Sequence, residues 1–162
     1  MPCLTLRDGV ALFFEVHGEG FPLVMIGEWG CARWIWFKQL RVFPARYSCV
    51  VFDNRGVGLS DKPNVRYSIS MFAEDLRELL DFLGADKAHI FGVSMGGFVA
   101  QEFALRYPGK VAGLVLVSTH PGGEVAIPIP EKVVNAILSR WEDELGTEEA
   151  LRRRLSFVFN LE

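Results

Sequence analysis

Apolar residues along this chain fall into two patterns. Short apolar-rich runs recur at residues 23–26, 47–52, 88–91 and 111–118, as expected of strands buried on both faces of a sheet. Between them Phe72, Leu76, Leu79, Leu80 and Leu83 recur at helical spacing, residues 98–107 form a second helical stretch, and residues 34–43 also fit a helix. Ser70 reads as an N-cap, Glu74 and Asp75 sit near the positive helix end, and Gly84 stops the helix. Two further strand-like runs, residues 3–7 and 10–16, flank Asp8-Gly9, a strong hairpin signal. Strands alternating with helices predict an α/β fold: a mostly parallel six-stranded sheet, an antiparallel N-terminal hairpin at one edge, and helices on both faces. After Thr119 the character changes. Pro121, Pro128 and Pro130 punctuate a loop, Val133, Val134, Ile137, Leu138 and Trp141 mark an amphipathic helix, and another helix is expected after Thr147. The chain therefore divides into a core of residues 1–120 and a helical segment of residues 121–162.

The chemistry concentrates at Gly92-Val93-Ser94-Met95-Gly96-Gly97, between the fifth strand and the following helix. A serine between two glycines at such a junction is a nucleophile elbow. The turn is too tight for side chains two residues to either side, which accounts for Gly92 and Gly96, and it presents a hydroxyl beside a helix N-terminus. Composition narrows the remaining classes. The chain has 162 residues, half of them hydrophobic, and a net charge of −3, so nothing favours nucleic acid or an anionic membrane as partner. No stretch approaches the ~20 apolar residues of a membrane span, and the N-terminus lacks a signal-peptide pattern. Cys3, Cys31 and Cys49 suit neither zinc nor a disulfide framework and read as small buried hydrophobes in a reducing cytoplasm.

The run from Asp53-Asn54-Arg55-Gly56-Val57-Gly58 through Leu59-Ser60-Asp61-Lys62-Pro63, the elbow, Gln101 to Pro108, and Val115-Leu116-Val117-Ser118-Thr119 together resemble the α/β-hydrolase superfamily, with the closest likeness to its enol-lactonase and esterase-like group. The resemblance covers essentially the whole chain. It implies a serine hydrolase of small carboxylic esters or lactones, with Ser94 as nucleophile and the Met95 and Trp29 N–H groups as oxyanion donors. Family members that open epoxides or displace halide carry aspartate at the elbow, and here the residue is serine. Two departures stand out. After the third strand the chain reads Gly27-Glu28-Trp29-Gly30, with Glu28 where a glycine is usual. Family members are also longer, with the acid after a seventh strand and the histidine after an eighth. The expected fold is thus a truncated α/β-hydrolase fold, the N-terminal half plus the start of the cap.

After Ser94 the sequence holds one histidine, His120, and one aspartate, Asp143. His120, just past the sixth strand, is a candidate base, with Glu124 or Asp143 to orient it. His17 and His89 read as structural, and Asp53 with Arg55 as organisers of their loop. Such a hydrolase needs neither cofactor nor metal, and its partner is a small acyl substrate. A strand six left as the sheet edge predicts a homodimer or pairing with a missing C-terminal half. The competing function is a non-catalytic half-domain, kept for self-assembly or for such pairing.

Overall fold

The computed structural model describes residues 3–122, together with 130 and 131. The expected helices around Val133 and after Thr147, the proposed helical segment, Glu124, Asp143 and Trp141 lie outside the described residues. Met1–Gly123 forms one compact unit.

Its sheet has six strands, β1 (Cys3–Thr5), β2 (Ala11–His17), β3 (Phe21–Ile26), β4 (Tyr47–Phe52), β5 (Ala88–Val93) and β6 (Val111–Val117), in the order β1-β2-β4-β3-β5-β6. β1 and β2 form the hairpin, β2 pairs antiparallel with β4, and all later pairings are parallel. The central strands alternate between two cores, as a period of two dictates. Val24, Ile26, Val50, Phe52 and Ile90 face one core; Leu23, Met25, Cys49 and Val51 face the other.

Two α-helices cover the first core, α1 (Ile69–Phe82) and α2 (Met95–Arg106), through Phe72, Leu76, Leu79, Leu80, Val99 and Phe103. The helix begins earlier than the Ser70 cap expected from sequence. Ser68 is the N-cap, its hydroxyl accepting the Met71 N–H at 3.2 Å, and Ser70 hydrogen-bonds to Ser68 instead. The reason is Ile69, which packs on the core and extends the apolar stripe back by one turn. Over residues 34–43 the structure has no α-helix. Three 3-10 turns, Arg33–Trp36, Gln39–Arg41 and Phe43–Ala45, cover the second core with Ile35, Trp36, Leu40 and Phe43. Aromatic residues with low helix propensity and Pro44 within the last turn disfavour a continuous α-helix.

The cysteine expectation holds for Cys49 alone. Cys3 is exposed on the short edge strand β1, and Cys31 is half-buried in a loop. Among the described residues no helix is long and apolar enough to cross a membrane, and no cluster of three metal-ligating side chains occurs.

Candidate active site

The register of the central strands determines which residues meet at their C-terminal rim. Ile26 pairs with Gly92 across β3 and β5, and Val93 pairs with Val117 across β5 and β6. The same count carried beyond the strands brings Glu28, Ser94 and Ser118 level on three neighbouring strand ends. Ser94 has φ 53° and ψ −117°, a backbone state that costs a non-glycine residue about 1–3 kcal/mol. It is held by two hydrogen bonds: its N–H donates to the Val117 carbonyl at 3.0 Å, and its carbonyl accepts the Gly97 N–H at 2.9 Å. Ser94 is half-buried, and α2 starts at the next residue, so the Met95 N–H belongs to the first turn of that helix.

Both flanking glycines are required by close backbone approach. A Cβ on Gly96 would stand 2.7 Å from the Gly27 carbonyl oxygen and closer still to that of Ile26. A Cβ on Gly92 would stand 2.8 Å from the Gly97 Cα and closer still to the Gly96 carbonyl. The start of α2 therefore lies in backbone contact with the end of β3, and the Met95 and Trp29 segments are neighbours. Both residues border one cavity of about 500 Å³, whose wall also includes Glu28, Asn54, Tyr67 and Phe72. Ser94 and His120 are not among its lining residues.

His120 is held by α2. Its ring meets Phe98 edge-on at 4.8 Å, its carbonyl accepts from Gln101 Nε2 at 3.1 Å, and its Nδ1 accepts the Gly122 N–H at 3.0 Å. No hydrogen bond joins His120 to Ser94 among the described residues. Of the aromatic residues near this rim, Trp29 borders the cavity, Trp36 is core, Trp34 is exposed and Phe98 packs on His120. His89 packs between Phe21, tilted against it, and Tyr47, which it meets edge-on, and His17 pairs with Glu15.

The loop after β4 is organised by ion pairs that the sequence did not reveal. Asp53, fully buried, accepts from the Arg33 backbone N–H at 2.7 Å, the Arg33 guanidinium at 3.0 Å and the Leu59 N–H at 2.8 Å. Arg55 does not pair with Asp53. It forks onto Asp75 of α1 at 2.5 and 2.7 Å and reaches Asp8 of the hairpin turn at 2.8 Å. Burial pushes the Asp75 carboxyl above the ordinary aspartate value even with the fork on it, whereas the Asp75 hydrogen bonds hold Arg55 still more firmly protonated. Arg55→Met is expected to destabilise the protein by about 3–5 kcal/mol, because it leaves a buried carboxylate unpaired. Urea denaturation measures the loss, and a change under 1 kcal/mol would show that Asp75 finds another partner.

Three residues at this rim escaped the sequence reading. Ser118 is, with Ser94, one of two non-glycine residues with positive φ among those described, at 49°. Its position one residue past β6, matching Ser94 one residue past β5, was the available signal. Gln101 ties the Gly97 and His120 carbonyls together. Asn54, inside the recognised loop motif, is 3% exposed and its Oδ1 has no hydrogen-bond partner among the described residues.

A family model described as the alpha/beta hydrolase fold matches residues 19–143. A non-heme chloroperoxidase from Kitasatospora aureofaciens is 35% identical over 123 residues, 75% of this chain and 45% of its own length. Among solved structures, the meta-cleavage product hydrolase of Pseudomonas fluorescens IP01 superposes with a TM-score of 0.79 at 26% identity, covering 96% of this chain and 56% of that one. Est816, an N-acyl homoserine lactone degrading enzyme, gives a TM-score of 0.76 at 29% identity, covering 98% and 66%. The chain spans less than half the length of the curated relatives it matches.

Proposed function

This chain belongs to the alpha/beta hydrolase family, and from that membership we propose that it is a serine hydrolase of small carboxylic esters or lactones, with Ser94 as its nucleophile. Ser94 Oγ attacks the acyl carbon while a base takes its proton, and the carbonyl oxygen becomes an oxyanion. The Met95 and Trp29 N–H groups stabilise that charge, the alcohol leaves with a proton, and water then releases the acid. The positive φ of Ser94 at the first residue before α2 carries the proposal, since backbone strain of this kind clusters at functional sites.

The base within the described residues is His120 or none. Acceptance of the Gly122 N–H by Nδ1 leaves the proton of a neutral ring on Nε2, the opposite of what a base facing serine needs. His120→Ala is therefore expected to slow fluorophosphonate labelling less than threefold, while Ser94→Ala abolishes it. A hundredfold loss in His120→Ala would instead make His120 the base. Persistent labelling in Ser94→Ala would end the proposal.

A specific observation favours self-association as a second property. β6 is the edge of the described sheet, and Leu114, Val115, Leu116 and Val117 are each 38–45% exposed. Without a charge or proline it lacks the devices that discourage strand pairing. Light scattering should show a dimer that Leu116→Lys converts to monomer. A wild-type monomer at high concentration would contradict it.

A further inference from the structure

We propose that Gln101 is a positioning residue for the nucleophile: its side-chain amide closes a ring of hydrogen bonds that holds Ser94 in its strained backbone state. This rests on the hydrolase reading above and adds to it the group that keeps the attacking serine in place.

The ring joins β6 to α2 through the elbow. The Ser94 N–H donates to the Val117 carbonyl at 3.0 Å, at the end of β6. The chain runs on through Ser118 and Thr119 to His120, whose carbonyl accepts from Gln101 Nε2 at 3.1 Å. The same nitrogen donates to the Gly97 carbonyl at 3.1 Å, and the Gly97 N–H returns to the Ser94 carbonyl at 2.9 Å. An amide nitrogen carries two N–H groups, and here both meet carbonyl oxygens. The amide oxygen in that place would face two acceptors, so the chemistry fixes the orientation of the side chain.

The strain gives the ring its meaning. Ser94 and Ser118, at φ 53° and 49°, are the two non-glycine residues with positive φ among those described, and both lie on this ring. Such states persist only where their surroundings over-determine them. The Ser94 main chain is gripped by β6 through its N–H and by α2 through its carbonyl. Its geometry therefore depends on the β6 exit and α2 staying together. They touch at Gly97, where an added Cβ would stand 2.5 Å from the Thr119 Cβ. That contact carries no polar tie, because the buried Thr119 hydroxyl has no hydrogen-bond partner among the described residues. Among those residues Gln101 is the only side chain that hydrogen-bonds the segment after β6 to α2. It grips the His120 main chain, so its role is separate from any proton transfer by the His120 ring. It also stands outside the lining of the cavity beside Met95, so substrate binding does not depend on it directly.

Two variants test this, Gln101→Met, which removes both donors at similar length, and the isosteric Gln101→Glu. In Gln101→Met, fluorophosphonate labelling of Ser94 should slow at least fivefold, as expected for losing about one net hydrogen bond. With a nitrophenyl ester kcat should fall by the same factor while KM stays within twofold. Amide exchange at Ser94 should quicken at least fivefold, while Val24 and Val50 in the central strands keep their rates. Gln101→Glu gives a pH signature. A protonated carboxyl can still donate to one carbonyl, whereas a carboxylate only accepts. Its labelling rate relative to wild type should therefore lie within threefold at pH 5 and fall at least fivefold by pH 8. A flat ratio across that range, unchanged Ser94 exchange in Gln101→Met, or exchange quickened equally throughout the sheet would overturn the proposal. Thermal melts establish that both variants fold, and if Gln101→Met does not, Gln101→Glu supplies the exchange comparison between the two pH values. Exchange needs no turnover, so its expected change in a protein whose wild type never labels would sink the hydrolase reading alone. Labelling of the wild type with no effect of either variant would sink this one alone.

Discussion

Ser94→Ala is expected to lower hydrolysis of a small activated ester by about tenfold or more and to leave the fold intact. The loss is large because the hydroxyl is the only atom in the proposed sequence that forms a bond to the acyl carbon. A residual rate about a thousandfold above water should survive, because the Met95 N–H and the cavity remain. Alanine keeps the β-carbon of serine, so it inherits the same strained backbone at φ 53°. Its two anchoring hydrogen bonds, to Val117 and from Gly97, are made by the main chain and are untouched. Initial rates with a nitrophenyl ester, together with a thermal melt, separate lost chemistry from lost folding. A rate reduction under tenfold would mean that another group performs the attack.

Gly96→Ala should be the most destabilising of the conservative changes at the elbow, by about 3 kcal/mol or more. The added methyl would collide with the Ile26 and Gly27 carbonyls at once. Neither obstacle is a side chain that can turn aside. Both belong to the main chain at the end of β3, a central strand paired on both sides. Relief requires α2 to move away from β3, and that movement separates the Met95 and Trp29 segments. Activity should therefore fall more than the population of folded protein. Gly109→Ala is the control: nothing lies within 4 Å of its added Cβ, and the change should stay within ~0.5 kcal/mol. Urea unfolding of both variants measures the contrast, and equal midpoints would remove the close approach as the reason for glycine at 96.

Legibility from sequence followed the range of the forces involved. β4 was read at its observed limits because a buried parallel strand announces itself as a local apolar run. The Asp8-Gly9 hairpin and the strand–glycine–serine–glycine–helix order of the elbow are local in the same sense. The 3-10 turns over residues 34–43 were not legible. Their apolar spacing imitates a helix, but Trp36 and Phe43 pack on the second core and Pro44 in the last turn disfavours a continuous helix. Ser68 was missed as the cap because the pull on Ile69 comes from the core it touches. Arg55 and Asp75 are twenty residues apart, and no pattern on either element names the other. The positive φ of Ser118 depends on how the chain leaves an edge strand. The missing partner of Asn54 is likewise visible only in three dimensions.

A structure of the protein after reaction with a small fluorophosphonate tests the central assignment most directly. Phosphorus bonded to Ser94 Oγ, with a phosphonyl oxygen about 2.7–3.1 Å from the Met95 nitrogen, is the expected result. Phosphorus on any other side chain, or an untouched Ser94 in a folded protein, would contradict it.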